Sequence, residues 1–392
     1  TRHWACPRSG RATQTRRPAT ETSAGPNENQ ESPRNGSTLT YFDGSFIKLR
    51  NISLSYALPN IYDIGARLLN LMPPETGHAA ALWGLKHGFG PKTDNFNPPC
   101  LTQDIWGKSF KNPVAISAGF DKNAIAINGV LKLGVGFIEV GGVTPLAQVG
   151  NAKPRLFRLK SDRAAINRLG FNNQGADQVR QRIADYKSSE KNNLPIGINL
   201  AANSKSLNPE NDFEVLVNKF APLADFLTID ISCPNSENGL LFLSPGPLEK
   251  LLDLLTNIKK SEKCLKPPAL LVKISPDIDY KHLDVLLHII QAAGIDGITV
   301  CNTTTERPSA LTSPNRNQLG GLSGKPLFSR STDMLRHVYK VTEGSIPLIG
   351  VGGISNGADA YTKICAGASL VQLYTGLIYE GPGLIARIKN DL

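Results

Sequence analysis

The sequence predicts an α/β protein, a (β/α)₈ TIM barrel preceded by a small N-terminal helical subdomain. Two observations lead to this prediction: eight short apolar runs alternate with amphipathic segments, and glycine or polar residues follow the runs. Strands of a parallel barrel are buried on both faces, so they are apolar throughout rather than alternating. A doubly wound open sheet is the competing fold, but eight consecutive β–α units favour closure into a barrel.

Eight runs have the length and composition of buried strands. In chain order they are Val114–Ile116, Phe137–Val140, Ile196–Leu200, Phe226–Ile231, Leu270–Ile274, Gly297–Val300, Leu348–Val351 and Leu370–Leu373. Amphipathic segments between these runs predict helices. The clearest of them are Gln174–Asp185, Glu214–Phe220, Leu248–Lys259, Asp284–Ala293 and Asp333–Val341.

The chain before the barrel divides into two parts. Residues 1–45 are predicted to be a disordered tail or a targeting segment, because the first 40 residues hold six Arg, no Lys and no acid before Glu21. This composition resembles a mitochondrial or plastid targeting segment, and a tail without an addressing role is the alternative. Between residues 54 and 90, apolar residues recur at helical spacing on both sides of Pro73-Pro74, which predicts two amphipathic helices. Such helices serve for packing or as a membrane-surface platform, and the residues alone favour packing; the barrel is assigned to residues 100–392.

The composition excludes several classes of protein. The formal net charge is +10, but the basic residues are dispersed and form no block interleaved with aromatic residues, so nucleic-acid binding is not indicated. No run approaches the roughly 20 apolar residues of a membrane-spanning helix. The six cysteines form no C-x-x-C pair and the six histidines show no metal-binding spacing, so we predict no metal site.

Polar and glycine residues follow the predicted strands, where a barrel enzyme carries its active site. They include Ala118–Lys122, Gly141-Gly142, Asn199, Asp230–Asn235, Lys273, Cys301–Thr304, Gly352-Gly353 and Tyr374–Gly376. The glycines after the last two strands indicate a phosphate site, because backbone N–H groups there can approach an anion closely.

Two residues in these loops suggest the chemistry. Lys273 lies in an apolar strand, where an unpaired ammonium group is costly. It is therefore either one partner of a structural ion pair or a cation that stabilises a negative cofactor or intermediate, and its place at a strand end favours the second role. Cys233 lies just beyond a strand, and a thiol with an ordinary pKa of about 8.5 can accept a proton near neutral pH. An inert core cysteine is the alternative.

Several runs of the chain resemble the dihydroorotate dehydrogenase family. They are Ala118–Lys122, Asn167–Asn172, Ser232–Asn235, Gly321–Leu327 and Leu373–Thr375, and the likeness extends from about Leu54 to the C-terminus. The helical pair with the run Pro74–His78, together with Pro154–Leu159, resembles the membrane-associated, quinone-using class of this family.

The resemblance implies an activity, a cofactor and a location. It implies FMN as cofactor and the oxidation of (S)-dihydroorotate to orotate, a step of pyrimidine (UMP) biosynthesis, with a membrane quinone as electron acceptor. It also implies that the helical pair is a platform for peripheral membrane contact. The expected location is the mitochondrial inner membrane, and the alternative is the cytoplasmic side of a bacterial inner membrane.

The resemblance also implies roles for individual positions. Cys233 is the expected catalytic base, and Lys273 the cation that offsets charge on the reduced flavin. The implied substrate-binding positions are Lys122, Asn167, Arg168, Leu169, Gly170, Phe171, Asp230, Asn235, Asn302 and Thr303. The implied FMN positions are Ala118, Gly119, Phe120, Asp121, Lys122, Gly142, Asn199, Asp230, Lys273, Cys301, Gly324, Gly353, Tyr374 and Thr375. The quinone entrance is expected at His78, Arg158 and Tyr374.

Four positions depart from the family pattern. Cys233 stands where the quinone-using class usually has Ser, and Asp230 stands where the family has an Asn. Gly142 and Cys301 replace hydroxyl residues. An ionised Asp cannot donate a hydrogen bond and repels an anionic ligand, so Asp230 must be protonated, paired or differently oriented.

These departures keep two alternatives open. One is a flavoenzyme of the same family that uses another acceptor, such as fumarate, or a related pyrimidine. The other is a barrel that binds flavin or phosphate without catalysis.

Overall fold

The computed structural model describes residues 61–93, 96–189, 194–232, 240–260 and 267–392. The predicted tail of residues 1–45 and the beginning of the predicted 54–90 unit lie outside these ranges. In chain order the strands are β1 (Gln103–Ile105), β2 (Lys108–Phe110), β3 (Val114–Ile116), β4 (Phe137–Val143), β5 (Leu156–Leu159), β6 (Ala164–Asn167), β7 (Ile196–Leu200), β8 (Phe226–Asp230), β9 (Ala269–Ile274), β10 (Gly297–Val300), β11 (Gly321–Gly324), β12 (Leu348–Val351) and β13 (Ala368–Leu373).

The helices enclose the strands and precede them. They are α1 (Ile61–Leu69), α2 (Pro74–Lys86), α3 (Ile127–Leu131), α4 (Ala176–Lys187), α5 (Pro209–Phe220), α6 (Pro245–Lys260), α7 (Tyr280–Ala292), α8 (Phe328–Val341), α9 (Gly357–Cys365), α10 (Thr375–Glu380) and α11 (Leu384–Asp391). Single 3₁₀ turns lie at Pro99–Leu101, Leu241–Leu243, Pro314–Asn317 and Lys325–Leu327.

Eight parallel strands close into a barrel in the order β3-β4-β7-β8-β9-β10-β12-β13, and β13 pairs with β3. The structure therefore confirms the predicted fold class, and each of the eight predicted runs forms a barrel strand. Their side chains are buried because they face either the barrel interior or the surrounding helices, as expected for apolar strands in a barrel.

The N-terminal end of the barrel is closed by aromatic side chains that we call the aromatic plug: Trp106, Phe110, Phe137 and Phe226. The ring centroids of Phe137 and Phe226 lie 5.8 Å apart inside the barrel, and Phe110 lies 5.2 Å from Phe137. Trp106 and Phe110 belong to the β1–β2 hairpin, which was not predicted from the sequence. The plug leaves the opposite, C-terminal end of the barrel as the place for a site.

A small antiparallel sheet, in the order β11-β6-β5, lies at that C-terminal end and was also not predicted. Leu159, Ala164, Ile166 and Leu322 give it a small apolar core of its own. Residues of all three strands face the cleft described below. The sheet therefore supplies a wall of the site that the barrel strands alone do not provide.

Helices α1 and α2, the helical pair, lie where the sequence predicts two helices. Leu82 and Leu85 of α2 are buried against the main core, whereas Leu71, Trp83 and Phe89 are 78%, 59% and 67% exposed. Within the described ranges, no helix is both long and apolar enough to cross a bilayer.

Candidate active site

A cleft opens at the C-terminal end of the barrel, between the strand ends and the β5–β6–β11 sheet. The space inside it is about 1160 Å³ when the open mouth is included. The predicted site residues that line the cleft are Ala118, Gly119, Lys122, Gly142, Asn167, Leu169, Gly170, Phe171, Asn199, Asp230, Lys273, Cys301, Asn302, Thr303, Gly324, Gly353, Tyr374 and Thr375.

Asp230 and Lys273 form an ion pair in the floor of the cleft. They face each other across the β8–β9 pairing, with Oδ2 of Asp230 3.8 Å from Nζ of Lys273. The side chains are only 5% and 10% exposed. Asp230 was expected to be protonated, paired or differently oriented, and the structure shows it paired. Lys273 is both the ion-pair partner of Asp230 and a residue of the cleft lining.

The second carboxylate oxygen of Asp230 organises the beginning of the next loop. Its Oδ1 accepts hydrogen bonds from Ser232 N at 3.2 Å and from Asn302 Nδ2, also at 3.2 Å. Asn302 Nδ2 lies 3.2 Å from Ser232 Oγ as well. These bonds hold Ser232, which is fully buried, at the edge of the cleft. Cys233 and Asn235 lie outside the described residues, so their predicted roles stay predictions.

A buried carboxylate beneath the cleft orients Asn199. Glu139 is 1% exposed; its Oε1 accepts from Asn199 Nδ2 at 3.2 Å, and its Oε2 accepts from Gln372 Nε2 at 2.6 Å. Neither Glu139 nor Gln372 was predicted from the sequence as a site residue. The signal was present, because Glu139 interrupts an apolar strand just as Lys273 does.

Two glycines in the cleft wall are needed for different reasons. Gly119 has φ +96°, and a Cβ built on it would project into the open cleft, with a Tyr374 ring atom at 3.8 Å as its nearest neighbour. Gly353 has φ +81°, and a Cβ there would lie 2.5 Å from the Cα of Phe328. The first glycine therefore leaves room for a ligand, and the second allows a turn to pack closely against α8.

Hydroxyl groups lie beside the predicted phosphate site. Thr375 Oγ1 donates to Ser323 Oγ at 2.9 Å, and Ser323 Oγ donates to the Ala165 carbonyl at 3.2 Å. These bonds connect the barrel end to the β5–β6–β11 sheet. The cleft thus offers backbone N–H groups and hydroxyls together at this end, which are suitable donors to a phosphate.

Amide and ammonium groups also line the cleft, at Asn167 of β6 and at Lys122 after β3. Lys122 Nζ donates to Asn172 Oδ1 at 3.0 Å, and Asn167 Nδ2 is 3.5 Å from the Gly321 carbonyl. A Cβ on Gly142 would lie 2.8 Å from the Phe171 ring, so the residue at this departure from the family pattern is closely packed. These amide and ammonium groups can bind a ligand that carries carbonyl and carboxylate groups.

Three aromatic rings, which we call the ring cluster, lie between α2 and the cleft: His78, Phe120 and Tyr374. The centroids are 5.3 Å apart for His78 and Phe120 and 5.5 Å apart for Phe120 and Tyr374. Tyr374 Oη is 3.5 Å from His78 Nδ1. Burial lowers the pKa of His78 to about 4 and raises the pKa of Tyr374, so both side chains are uncharged near neutral pH.

Arg158 ties the helical pair to β5. Its Nη1 donates to the carbonyls of Met72 at 2.7 Å and Asn70 at 3.2 Å, at the C-terminal end of α1. A neighbouring bidentate pair joins Arg155 to Glu75, with both N–O distances at 3.1 Å. The predicted quinone residues His78, Arg158 and Tyr374 therefore lie at the junction of helices and barrel.

Some predicted residues lie beside the cleft rather than in its lining. The Asp121 carboxylate accepts from the backbone N–H groups of Ile125 and Ala126, at 2.9 and 2.7 Å, and so shapes the loop after β3. The Arg168 guanidinium bonds the Leu319 and Pro154 carbonyls. Other lining residues were not singled out as site residues: Leu156, Ala165, Val351, Ile354 and Ile378.

Cys301 is a cysteine that lines the cleft. Burial raises its pKa to about 12, so its thiol keeps its proton at neutral pH. It is therefore unsuited to act as a base. Among the described residues, no group of His, Cys, Asp or Glu is arranged to hold a metal ion.

Comparisons with known proteins agree with this geometry. The family profile described as dihydroorotate dehydrogenase matches residues 100–392. A dihydroorotate dehydrogenase (quinone) from Parvibaculum lavamentivorans is 43% identical over 333 residues, which cover 85% of this chain and 93% of that protein. The mitochondrial dihydroorotate dehydrogenase (quinone) of Mus musculus is 42% identical and covers 83% of each chain. A crystal structure of DHODH from Eimeria tenella in complex with ferulenol superposes with a TM-score of 0.78 at 36% identity, covering 81% of this chain and 90% of that one.

Proposed function

This chain belongs to the dihydroorotate dehydrogenase family, and from that premise we propose that it oxidises (S)-dihydroorotate to orotate with a quinone as acceptor, in pyrimidine biosynthesis. The observation that carries the proposal is the cleft, which brings a lysine, several amide side chains and a group of glycines together at the C-terminal end of the barrel. The dihydroorotate dehydrogenases (quinone) of a bacterium and of the mouse match more than four fifths of the chain.

We propose FMN as the cofactor, in keeping with the flavin dependence of the family. The residues present fit such a group, because the space in front of Gly119 is open and the other end of the cleft gathers Gly324, Gly353 and Thr375. Asn199, held by Glu139, and Lys273 would contact the ring system. Bound in this cleft, FMN would supply the acceptor for the hydride of the substrate and the donor of electrons to the quinone.

The side chains of this protein would bind the substrate and remove its proton. Lys122, Asn167, Asn302 and Thr303 are suited to hold the carboxylate and carbonyl groups of dihydroorotate. Cys233 is the proposed base that takes the proton from C5. Ser232, the residue before it, is anchored at the cleft by Asp230 and Asn302, and the high pKa of Cys301 removes that thiol from consideration.

We propose that the quinone enters between the helical pair and the barrel. The ring cluster and Arg158 lie there, and apolar residues such as Leu156 and Ile378 line the adjoining cleft. The exposed side chains of Leu71, Trp83 and Phe89 suit peripheral contact with a membrane. The mitochondrial inner membrane is the favoured location, and a bacterial inner membrane is the alternative. Flotation of the protein with liposomes tests the membrane contact, since a protein that stays in the dense fraction would contradict it.

Anaerobic mixing with dihydroorotate tests the proposed reaction. The bound flavin should lose its visible absorbance when dihydroorotate reduces it, and added decylubiquinone should restore that absorbance. A yellow protein that dihydroorotate does not bleach would instead be a non-catalytic flavin-binding barrel.

A second candidate differs only in the acceptor or the pyrimidine, and the Asp230 carboxylate in the cleft is the observation in its favour. Steady-state turnover with quinone, fumarate and NAD separates the two. Turnover with fumarate but not with quinone would replace the quinone-dependent activity by this second one.

A further inference from the structure

A lysine is buried behind the predicted phosphate end of the cleft, and it has no carboxylate partner among the described residues. Lys363 of α9 is 0% exposed, and no Asp or Glu oxygen of the described residues lies within 4.0 Å of its ammonium group. Its Nζ donates to Ser331 Oγ at 2.6 Å and to the Val351 carbonyl at 3.3 Å. It also lies 5.3 Å from the centroid of the Phe328 ring. A buried ammonium group with only neutral partners is costly, so a reason for keeping it is needed.

The contacts of Lys363 join the turn after β12 to the beginning of α8. Ser331 Oγ, the acceptor for Lys363, lies 3.1 Å from the Gly352 carbonyl and 3.0 Å from the Phe328 carbonyl. Val351 and Gly352 line the cleft, and so does Gly353, which packs directly on Phe328. The lysine therefore lies immediately behind the wall of the cleft that presents the glycine turn.

The charge of Lys363 also favours an anion at this end of the cleft. Burial lowers the pKa of Lys363 to about 8, so the group is still mostly protonated at neutral pH. The carboxylates of Asp359 and Asp333 raise this pKa without forming an ion pair with Lys363, and an anion bound in front of the Gly352-Gly353 turn would add a further counter-charge. The N-terminus of α8, which begins at Phe328, would add a favourable dipole for the same anion.

We propose that Lys363 is a positioning residue for the phosphate end of the cleft. It holds the Gly352-Gly353 turn against α8 and places a positive charge behind the bound phosphate of the cofactor. The inference rests on the proposed FMN-dependent function. It adds a residue outside the cleft lining, and it predicts that this residue discriminates FMN from riboflavin, which lacks the phosphate.

Lys389 offers a matched control. It is 1% exposed, and like Lys363 it donates to backbone carbonyls, those of Thr93 and Phe96 at 3.1 and 2.7 Å. It lies on α11 and does not line the cleft. Removing either lysine is expected to cost stability, but only Lys363 should affect binding of a phosphate group.

The test compares FMN with riboflavin in Lys363→Gln, Lys363→Arg and Lys389→Gln. Flavin is removed from each holoenzyme and rebound, and both affinities are read from quenching of flavin fluorescence. Lys363→Gln should weaken FMN binding roughly 10- to 100-fold and riboflavin binding less than about threefold. Lys363→Arg should restore much of the FMN preference, and Lys389→Gln should keep the wild-type preference.

If Lys363→Gln lowers the affinities for FMN and riboflavin equally, Lys363 has only a structural role and the proposal is overturned. An unchanged FMN affinity would overturn it as well. If Lys363→Gln does not fold, Ser331→Ala removes the acceptor of Lys363 with little change in volume. It should lower the FMN preference a few-fold, and an unchanged preference would overturn the proposal. Wild-type protein that prefers FMN but does not oxidise dihydroorotate would refute the proposed function and leave the role of Lys363 standing.

Discussion

Asp230→Asn separates the stability of the fold from the affinity of the site. The 3.8 Å distance between Asp230 and Lys273, with an effective dielectric constant of about 20, corresponds to a Coulomb attraction of roughly 4 kcal/mol. Desolvation of the two charges offsets part of it, and removing one partner of a buried pair typically costs about 3–5 kcal/mol. Asn keeps an acceptor for Ser232 and Asn302, so we expect a loss of about 3 kcal/mol in the free energy of unfolding.

The affinity for orotate should change in the opposite direction. Orotate is an anion, and the wild-type cleft presents it with a carboxylate that also occupies the charge of Lys273. Removing the carboxylate frees the ammonium group for the ligand. We expect orotate to bind about tenfold more tightly to Asp230→Asn, which corresponds to about 1.4 kcal/mol.

Urea unfolding of the flavin-loaded protein measures the stability, and titration of the flavin absorbance with orotate measures the affinity. Asp225→Asn is the matched control. Asp225 is also a buried carboxylate, paired with Lys187 and Lys108 at 2.6 and 2.9 Å, but it does not line the cleft. The control should lose stability without a change in orotate affinity. Unchanged or weaker orotate binding in Asp230→Asn would refute the reasoning, because Asp230 would then be adapted to its ligand.

Three further predictions concern the base, the ring cluster and the helical pair. Cys233→Ala should keep FMN but slow its reduction by dihydroorotate at least about 100-fold in stopped-flow mixing, and retained fast reduction would exclude Cys233 as the base. Burial lowers the pKa of His78 to about 4, so the folded state binds fewer protons than the unfolded state between pH 4 and about 6.5. The neutral His78 side chain therefore contributes about 3 kcal/mol to the free energy of unfolding above about pH 6.5, and this contribution is lost as the pH falls towards 4. Urea unfolding across this range should show a shallower pH dependence for His78→Gln, and identical slopes would contradict the assignment. Arg158→Met removes the hydrogen bonds to the end of α1. In steady-state assays it should raise the KM for quinone about tenfold and leave the affinity for orotate unchanged. An equal loss of orotate affinity would place Arg158 in the substrate site.

The barrel strands could be predicted from the sequence because each is apolar enough to be buried on both faces. The β5–β6–β11 sheet could not, since its strands are short and β11 pairs with β6 across more than 150 residues of chain. The residues of β11, Gly321–Gly324, have little preference for a strand by themselves. Their conformation is set by the pairing with β6, which local sequence patterns do not contain.

The site was predictable where a polar residue interrupts an apolar run or follows one. This rule identified Lys273 and Asp230, and applied to Glu139 it would have identified the carboxylate that holds Asn199. The pairing of Asp230 with Lys273 depends on the register of β8 and β9, which a single sequence does not reveal. The roles of Cys233 and Asn235 remain predictions from the sequence.

Because β13 pairs with β3, the barrel can close only after nearly the whole chain has been translated. The first barrel strand is made early, yet its outer edge has no partner until residues 368–373 have left the ribosome. Until then the nascent chain carries two open strand edges, which favour association with other chains. A chain truncated before β13 would therefore keep an open sheet with two exposed edges and be prone to aggregation, so the pairing of β13 with β3 is as necessary to the enzyme as its active site.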